Sequence, residues 1–68
     1  MDIIREKIEI LYDMQILKHN GRKHDPREKA VRKWLKSYDS VLRMENTLRD
    51  IYTEKTTLNQ VLTQRGFM

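Results

Sequence analysis

The basic side chains in the middle of this chain recur at spacings that place them on one side of a helix. Four of them fall within little more than two helical turns, at Lys29, Arg32, Lys33 and Lys36. Residues three and four apart are neighbours on a helix surface, so these side chains are expected to form one basic face. Such a face can neutralise several phosphates at once and release their counterions. The spacing therefore predicts binding to nucleic acid, either non-specific or of unknown sequence preference.

Additional basic residues flank this face along the sequence. The stretch over residues 18–36 carries eight Lys and Arg against one Asp and one Glu, a net charge of +6, while the whole chain has +4. Residues 1–17 carry −2 and residues 37–68 are neutral overall. The predicted nucleic-acid-binding residues are those of the basic face, a preceding loop and one later arginine: Arg22, Lys23, Arg27, Lys29, Arg32, Lys33, Lys36 and Arg43.

Two other interpretations of the basic face stay open. Charged residues are what an exposed helix surface is ordinarily made of, so the face can be merely solvated. An acidic protein could also bind these basic side chains, so the predicted partner is either nucleic acid or an acidic protein. No zinc-finger, basic-zipper or RNA-recognition signature occurs in the sequence, so sequence-specific recognition is not predicted.

No pattern in the chain is typical of catalysis or of metal binding. Cysteine is absent, and Ser37 and Ser40 have no evident histidine partner in the sequence. His19 and His24, with Asp25, offer at most three ligands where a structural zinc site uses four, so both are expected to be solvated loop residues. We predict a non-catalytic regulatory or accessory protein without metal or cofactor.

The positions of the apolar residues predict an all-α protein that begins with a helix over about Asp2–Lys18. Isoleucines and leucines lie on one side of that helix, while Asp2, Glu6, Glu9 and Asp13 form an acidic stripe on the other. Asn20 and Gly21 tolerate the left-handed conformation that ends helices. The stripe is expected to be solvated, with docking of a basic partner as the alternative.

A second, longer helix is predicted over residues 26–53. Asp25-Pro26-Arg27-Glu28 combines a capping side chain, a proline at the first helical position and a glutamate three residues after the cap. An apolar seam then continues from Val31 and Trp34 to Tyr52. Trp34 is expected to be the main core residue, and Glu45 is a charge within the seam that can pair with Lys7 or Arg49 of another chain, or face water.

The remaining residues predict a short third helix after a break, with a continuation of the second helix as the alternative. Thr57 and Gln60 form a possible capping box, and Gly66 is a plausible stop. The whole of residues 1–68 is predicted to be a single small domain, cytoplasmic because it lacks cysteine, a signal peptide and a membrane-spanning run.

The unequal lengths of the two main helices predict an antiparallel hairpin that cannot cover its own apolar surface. At about 1.5 Å per residue, the first helix spans roughly 25 Å and the second roughly 42 Å. Beyond residue 43 the second helix is then uncovered, and a homodimer that completes a bundle is the favoured solution. The predicted partner or dimer interface comprises Leu48, Ile51, Tyr52, Leu58, Val61 and Leu62. If this apolar half or the acidic stripe binds another protein, the chain is an adaptor or inhibitor, which is the alternative function.

Overall fold

The chain folds into four short α-helices in a computed structural model that describes residues 2–68. The helices are α1 (Ile3–Asp13), α2 (Glu28–Lys36), α3 (Val41–Tyr52) and α4 (Leu58–Gln64). Helix α2 packs against both α1 and α4. Within the described range the extended pairing is limited to one isolated bridge between Asn20 and Lys23. The predicted all-α class is confirmed.

The prediction of one helix over residues 26–53 is wrong, because the chain turns between Lys36 and Val41. Ser37 ends α2, and its hydroxyl donates a hydrogen bond to the Trp34 carbonyl oxygen at 2.5 Å. Ser40 adopts an extended backbone and caps α3, where its Oγ accepts from the Arg43 amide at 3.1 Å. Serine and aspartate compete with helical hydrogen bonds and favour caps, so the Ser-Tyr-Asp-Ser cluster over 37–40 was the available signal.

The dimensions of the molecule agree with this interruption. A helix of 28 residues would measure about 42 Å, whereas the longest extent of the chain's Cα trace is 33 Å. The short segments instead give a radius of gyration of 11.3 Å, close to the roughly 11 Å expected of a compact chain of this length. The unequal hairpin from which the dimer was predicted is therefore absent.

Helix α1 also ends earlier than the predicted Lys18. Gln15 takes a left-handed conformation with φ of 61°, and the amides of Ile16 and Leu17 both donate to the Leu11 carbonyl oxygen. This turn returns Leu17 to the core, where it is fully buried. The burial gained at Leu17 offsets the cost of a left-handed non-glycine residue.

The C-terminal helix forms as a separate element, as predicted. Thr57 caps α4 by accepting the Gln60 amide at 3.2 Å, which completes half of the expected capping box. The Gln60 side chain accepts instead from the hydroxyl of Thr56 at 3.1 Å. Gly66 has φ of 83°, the left-handed conformation that favours glycine after a helix.

One core unites all four helices, and Trp34 on α2 is its largest fully buried member. Five of the six residues predicted to form the interface belong to this core, and each is at most 6% exposed. They are Leu48, Ile51, Leu58, Val61 and Leu62. The sixth, Tyr52, packs against the same core. The break at residues 37–40 lets the end of α3 and α4 join the same core within one chain. The helical apolar residues predicted to be uncovered beyond residue 43 are therefore buried or half-buried within one chain, and the dimer stays a prediction without its original basis.

The helices are short as well as amphipathic. No helix within residues 2–68 has the length and apolar character needed to cross a bilayer.

Candidate nucleic-acid interface

The basic face predicted on the second helix lies on α2. Val31, Trp34 and Leu35 are buried on one side of this helix, which turns Lys29, Lys33 and Lys36 toward solvent on the other. None of these three ammonium groups forms an ion pair with a residue that the structure describes. The three lysines are accordingly free to meet an external anion.

Two of the predicted arginines are partly neutralised by acids on their own helix or turn. Arg32 Nη2 lies 3.6 Å from Glu28 Oε2, and Arg43 Nε lies 3.8 Å from Asp39 Oδ1. Both distances are long for hydrogen bonds, and all four side chains retain solvent access, so each pair is worth well under about 1 kcal/mol. An incoming phosphate can therefore compete for either guanidinium.

Arg27 differs from the other predicted residues because its side chain is engaged within the fold. Its Nε and Nη2 donate to the two carboxylate oxygens of Asp25 at 3.0 and 2.7 Å. Nη2 also donates to the Ile16 carbonyl oxygen at 2.8 Å, and Nη1 donates to Asn59 Oδ1 at 2.7 Å. A guanidinium with these partners ties the turn that follows α1 to α4. Arg27 thus has a structural role and is not available as a phosphate ligand.

Asp25 is the buried centre of this polar cluster. Its carboxylate also accepts the backbone amides of Lys18 and Arg27, at 2.9 and 2.8 Å. The hydrogen bonds from the Arg27 side chain, the largest influence, hold the pKa of Asp25 well below its usual range, although burial opposes them. A carboxylate with this many donors is stable inside the protein because every lone-pair direction is used.

The lowered pKa of Asp25 predicts an acid-sensitive contribution to stability. A group with a depressed pKa in the folded state stabilises the protein above its unfolded pKa of about 3.9, and this contribution is lost as the pH falls below that value. The NMR signal of the Asp25 carboxyl carbon should therefore titrate with a midpoint below about 3.9. A midpoint at or above that value would show that the ion pair with Arg27 is not maintained in solution.

The predicted capping box at Asp25–Glu28 is bridged by a side chain from α1. The Tyr12 hydroxyl accepts the Asp25 amide at 2.9 Å and donates to Glu28 Oε1 at 2.8 Å. Burial and the hydrogen bond to Glu28 raise the pKa of Tyr12. Helix α2 accordingly starts at Glu28, two residues later than predicted, with Pro26 in the preceding turn. Sequence reasoning missed Tyr12 because its partners lie 13 and 16 residues away.

The basic loop before α2 is shaped by a tight turn. The Asn20 amide donates to the Lys23 carbonyl oxygen at 2.9 Å, and the Lys23 amide donates back to Asn20 at 3.1 Å. Gly21 has the positive φ of 67° that such a turn requires. Arg22 and Lys23 are consequently held at an exposed tip.

Both histidines stand beside this turn and form an aromatic group with Tyr12. The ring centroids of His19 and Tyr12 are 4.5 Å apart with an interplanar angle of 27°, and His24 lies 5.7 Å from Tyr12 and 5.4 Å from His19. His24 Nδ1 is 3.7 Å from Glu28 Oε1. Across residues 2–68 no three His, Cys, Asp or Glu side chains converge as a metal site. Both histidines are exposed loop residues, as expected, but their stack with Tyr12 was not predicted.

At the opposite end of α2 the fold brings together two arginines that are far apart in sequence. Arg43 and Arg65 line a surface cleft of about 500 Å³ together with Ser37, Tyr38, Asp39, Asn46 and Thr47. The Arg65 guanidinium lies 4.7 Å from the centre of the Tyr38 ring, and the Tyr38 hydroxyl accepts the Trp34 indole N–H at 2.9 Å. Arg65 was not predicted because only the return of the chain through α4 places it beside Tyr38 and Arg43.

The acidic residues of α1 have local partners or face solvent. Asp2 caps α1 by accepting the amides of Ile4 and Arg5, and Glu9 pairs with Arg5 at 3.5 Å. Glu45, considered for pairing with another chain, binds Lys7 of its own chain at 3.1 Å. Asp2, Glu9 and Glu45 therefore each have a partner within their own chain.

No match was found when the chain was compared with protein-family models, curated proteins and solved structures. Its function must therefore be inferred from the geometry described above.

Proposed function

We propose that this chain is a small non-catalytic regulatory or accessory protein that binds nucleic acid, and that the binding surface is centred on α2. The observation that carries the proposal is the exposed row of Lys29, Lys33 and Lys36, which have no ionic partner among the described residues. The buried side of α2, anchored by the fully buried Trp34, fixes the orientation of that row. Charges held in this way can bind phosphates without reorganising the fold.

The remaining basic residues extend this surface at both ends of α2. Arg22 and Lys23 stand at the exposed turn before the helix, while Arg43 and Arg65 line the cleft after it. Arg32 contributes from the edge of the helix, next to Glu28. Because these cations lie along the exposed side of α2 and at its two ends, we expect a single strand or groove edge to contact several of them together. The proposed location is the cytoplasm, which suits a chain that lacks cysteine.

The charge row predicts how binding should depend on salt. Replacing Lys33 and Lys36 by glutamine removes two phosphate contacts, so the slope of log affinity against log salt should become shallower by about 1.5. Fluorescence anisotropy with labelled oligonucleotides over a salt series measures this slope.

A matched control removes two positive charges elsewhere on the surface. Arg49 and Lys55 are exposed and form no ion pair among the described residues. In the sequence, Arg49 precedes Asp50 and Lys55 follows Glu54. The Arg49→Gln/Lys55→Gln variant should keep the wild-type slope. If both double variants shift the slope equally, binding reflects only total charge; if the wild type binds neither single strands nor duplexes at low salt, the proposal fails.

The second candidate function is a protein-interaction module, which an exposed apolar pair at the start of α3 favours. Leu42 is 68% exposed and Val41 is 45% exposed, next to the basic end of α2. An acidic partner with an apolar side chain, or a second copy of the chain, would cover them. Capture of a protein that survives high salt and is lost with Leu42→Asp would favour this candidate over nucleic acid.

A further inference from the structure

The exposed ring of His19 sits at the edge of an open cleft. The cleft has a volume of about 330 Å³ and is lined by Tyr12, Gln15, Leu17, Lys18 and His19. This volume lies within the range of sites that bind small ligands. Tyr12 supports the imidazole from one side, and Tyr12 itself is fixed by hydrogen bonds to Asp25 and Glu28. The imidazole forms no hydrogen bond to a described residue, so the fold does not use its nitrogens.

We infer that the nucleic acid is single-stranded and that one of its bases stacks on His19 in this cleft. The inference rests on the proposed function and specifies the form of nucleic acid that the same surface binds. A histidine ring is a common stacking partner for an unpaired base. Bases inside a duplex are already stacked on their neighbours, so they are not free to use such a ring.

The charges around the cleft are those that a strand passing over His19 requires. Lys18 lines the cleft itself, and Arg22 and Lys23 stand at the tip of the adjoining turn. A base placed on the ring would therefore have its neighbouring phosphates within a basic environment. Non-specific single-strand binding combines these two elements, a positively charged path for the backbone and a ring for the bases.

The other aromatic residues near the basic face do not offer a comparable ring. Trp34 is fully buried, and the Tyr38 ring is covered by the Arg65 guanidinium at 4.7 Å. His24 is tilted by 46° relative to His19 and lies near Glu28 Oε1, so an anionic group faces its imidazole. His19 is accordingly the residue on which stacking is expected.

The test compares wild type, His19→Ala and His19→Phe in the full chain. Short DNA and RNA single strands, and a DNA duplex at equal phosphate concentration, serve as probes in the same buffer. His19→Ala should weaken single-strand binding by about five- to a hundredfold and leave duplex binding unchanged. His19→Phe should retain single-strand binding, because it keeps the ring. A fluorescent adenine analogue in the strand should be quenched by the wild type and by His19→Phe only.

The outcomes separate this inference from the proposed function. Stacking would be supported if His19→Ala weakens binding of the DNA or the RNA single strand and His19→Phe retains that binding. Salt-sensitive binding that prefers the duplex, or that is equal in wild type and His19→Ala, would overturn the inference and leave the basic face of α2 as the binding surface. If wild type binds no probe at low salt, the proposed function itself fails.

Discussion

Replacing Asp25 by alanine should remove most of the stability of this protein. The Arg27 guanidinium would lose the carboxylate that accepts from its Nε and Nη2, and the amide of Lys18 would lose its acceptor. Breaking a buried ion pair costs about 3–5 kcal/mol, and the lower end applies here because 24% of the Arg27 side chain remains exposed. A single core in a chain of this size supplies only about 3–5 kcal/mol in total. Urea unfolding followed by circular dichroism measures the loss.

A control with the same change of charge separates this effect from simple charge removal. Asp39 is exposed and lies 3.8 Å from the equally exposed Arg43. Asp39→Ala should alter the free energy of unfolding by less than about 1 kcal/mol. Equal destabilisation by the two variants would mean that the Asp25 cluster contributes no more than a surface pair.

Leu48→Asp should unfold the chain, whereas Leu42→Asp should leave it folded. Leu48 is 1% exposed in the core and Leu42 is 68% exposed, although both belong to α3. Truncating a buried leucine costs about 2–5 kcal/mol, and aspartate adds the cost of burying a carboxylate without a partner. A substitution at an exposed position ordinarily changes stability by about 0.5 kcal/mol or less.

The comparison also tests the interface predicted from the sequence. If Leu48 lay at a dimer interface, its aspartate variant would give a folded monomer in place of a wild-type dimer. Sedimentation combined with far-ultraviolet circular dichroism distinguishes that result from unfolding. A folded Leu48→Asp variant of reduced mass would contradict the burial of Leu48 within its own chain.

Local signals accounted for the parts of the fold that depend on neighbours in sequence. Thr57 caps α4 and Gly66 follows it, as predicted, because each interaction spans only a few residues. The misplaced end of α1 and the missed break at residues 37–40 have different causes. Gln15 is an adequate helix residue, so only the burial of Leu17 that follows from turning the chain favours its left-handed conformation. The Ser-Tyr-Asp-Ser cluster over 37–40 carried a local capping signal, but the apolar seam that continues past it outweighed that signal in the prediction.

The sequence by itself determined the helical class and the separation of Lys29, Lys33 and Lys36 from Val31, Trp34 and Leu35. Helical periodicity places these two sets on different sides of α2 whatever surrounds it. Tertiary structure decided which charges are free: it engages Arg27 with Asn59 from α4 and adds Arg65 to the cleft beside Tyr38. It also decided that Leu48, Leu58 and Leu62 are buried within one chain. These outcomes follow from the directions of the turns between helices, which bring together residues that no short-range pattern relates.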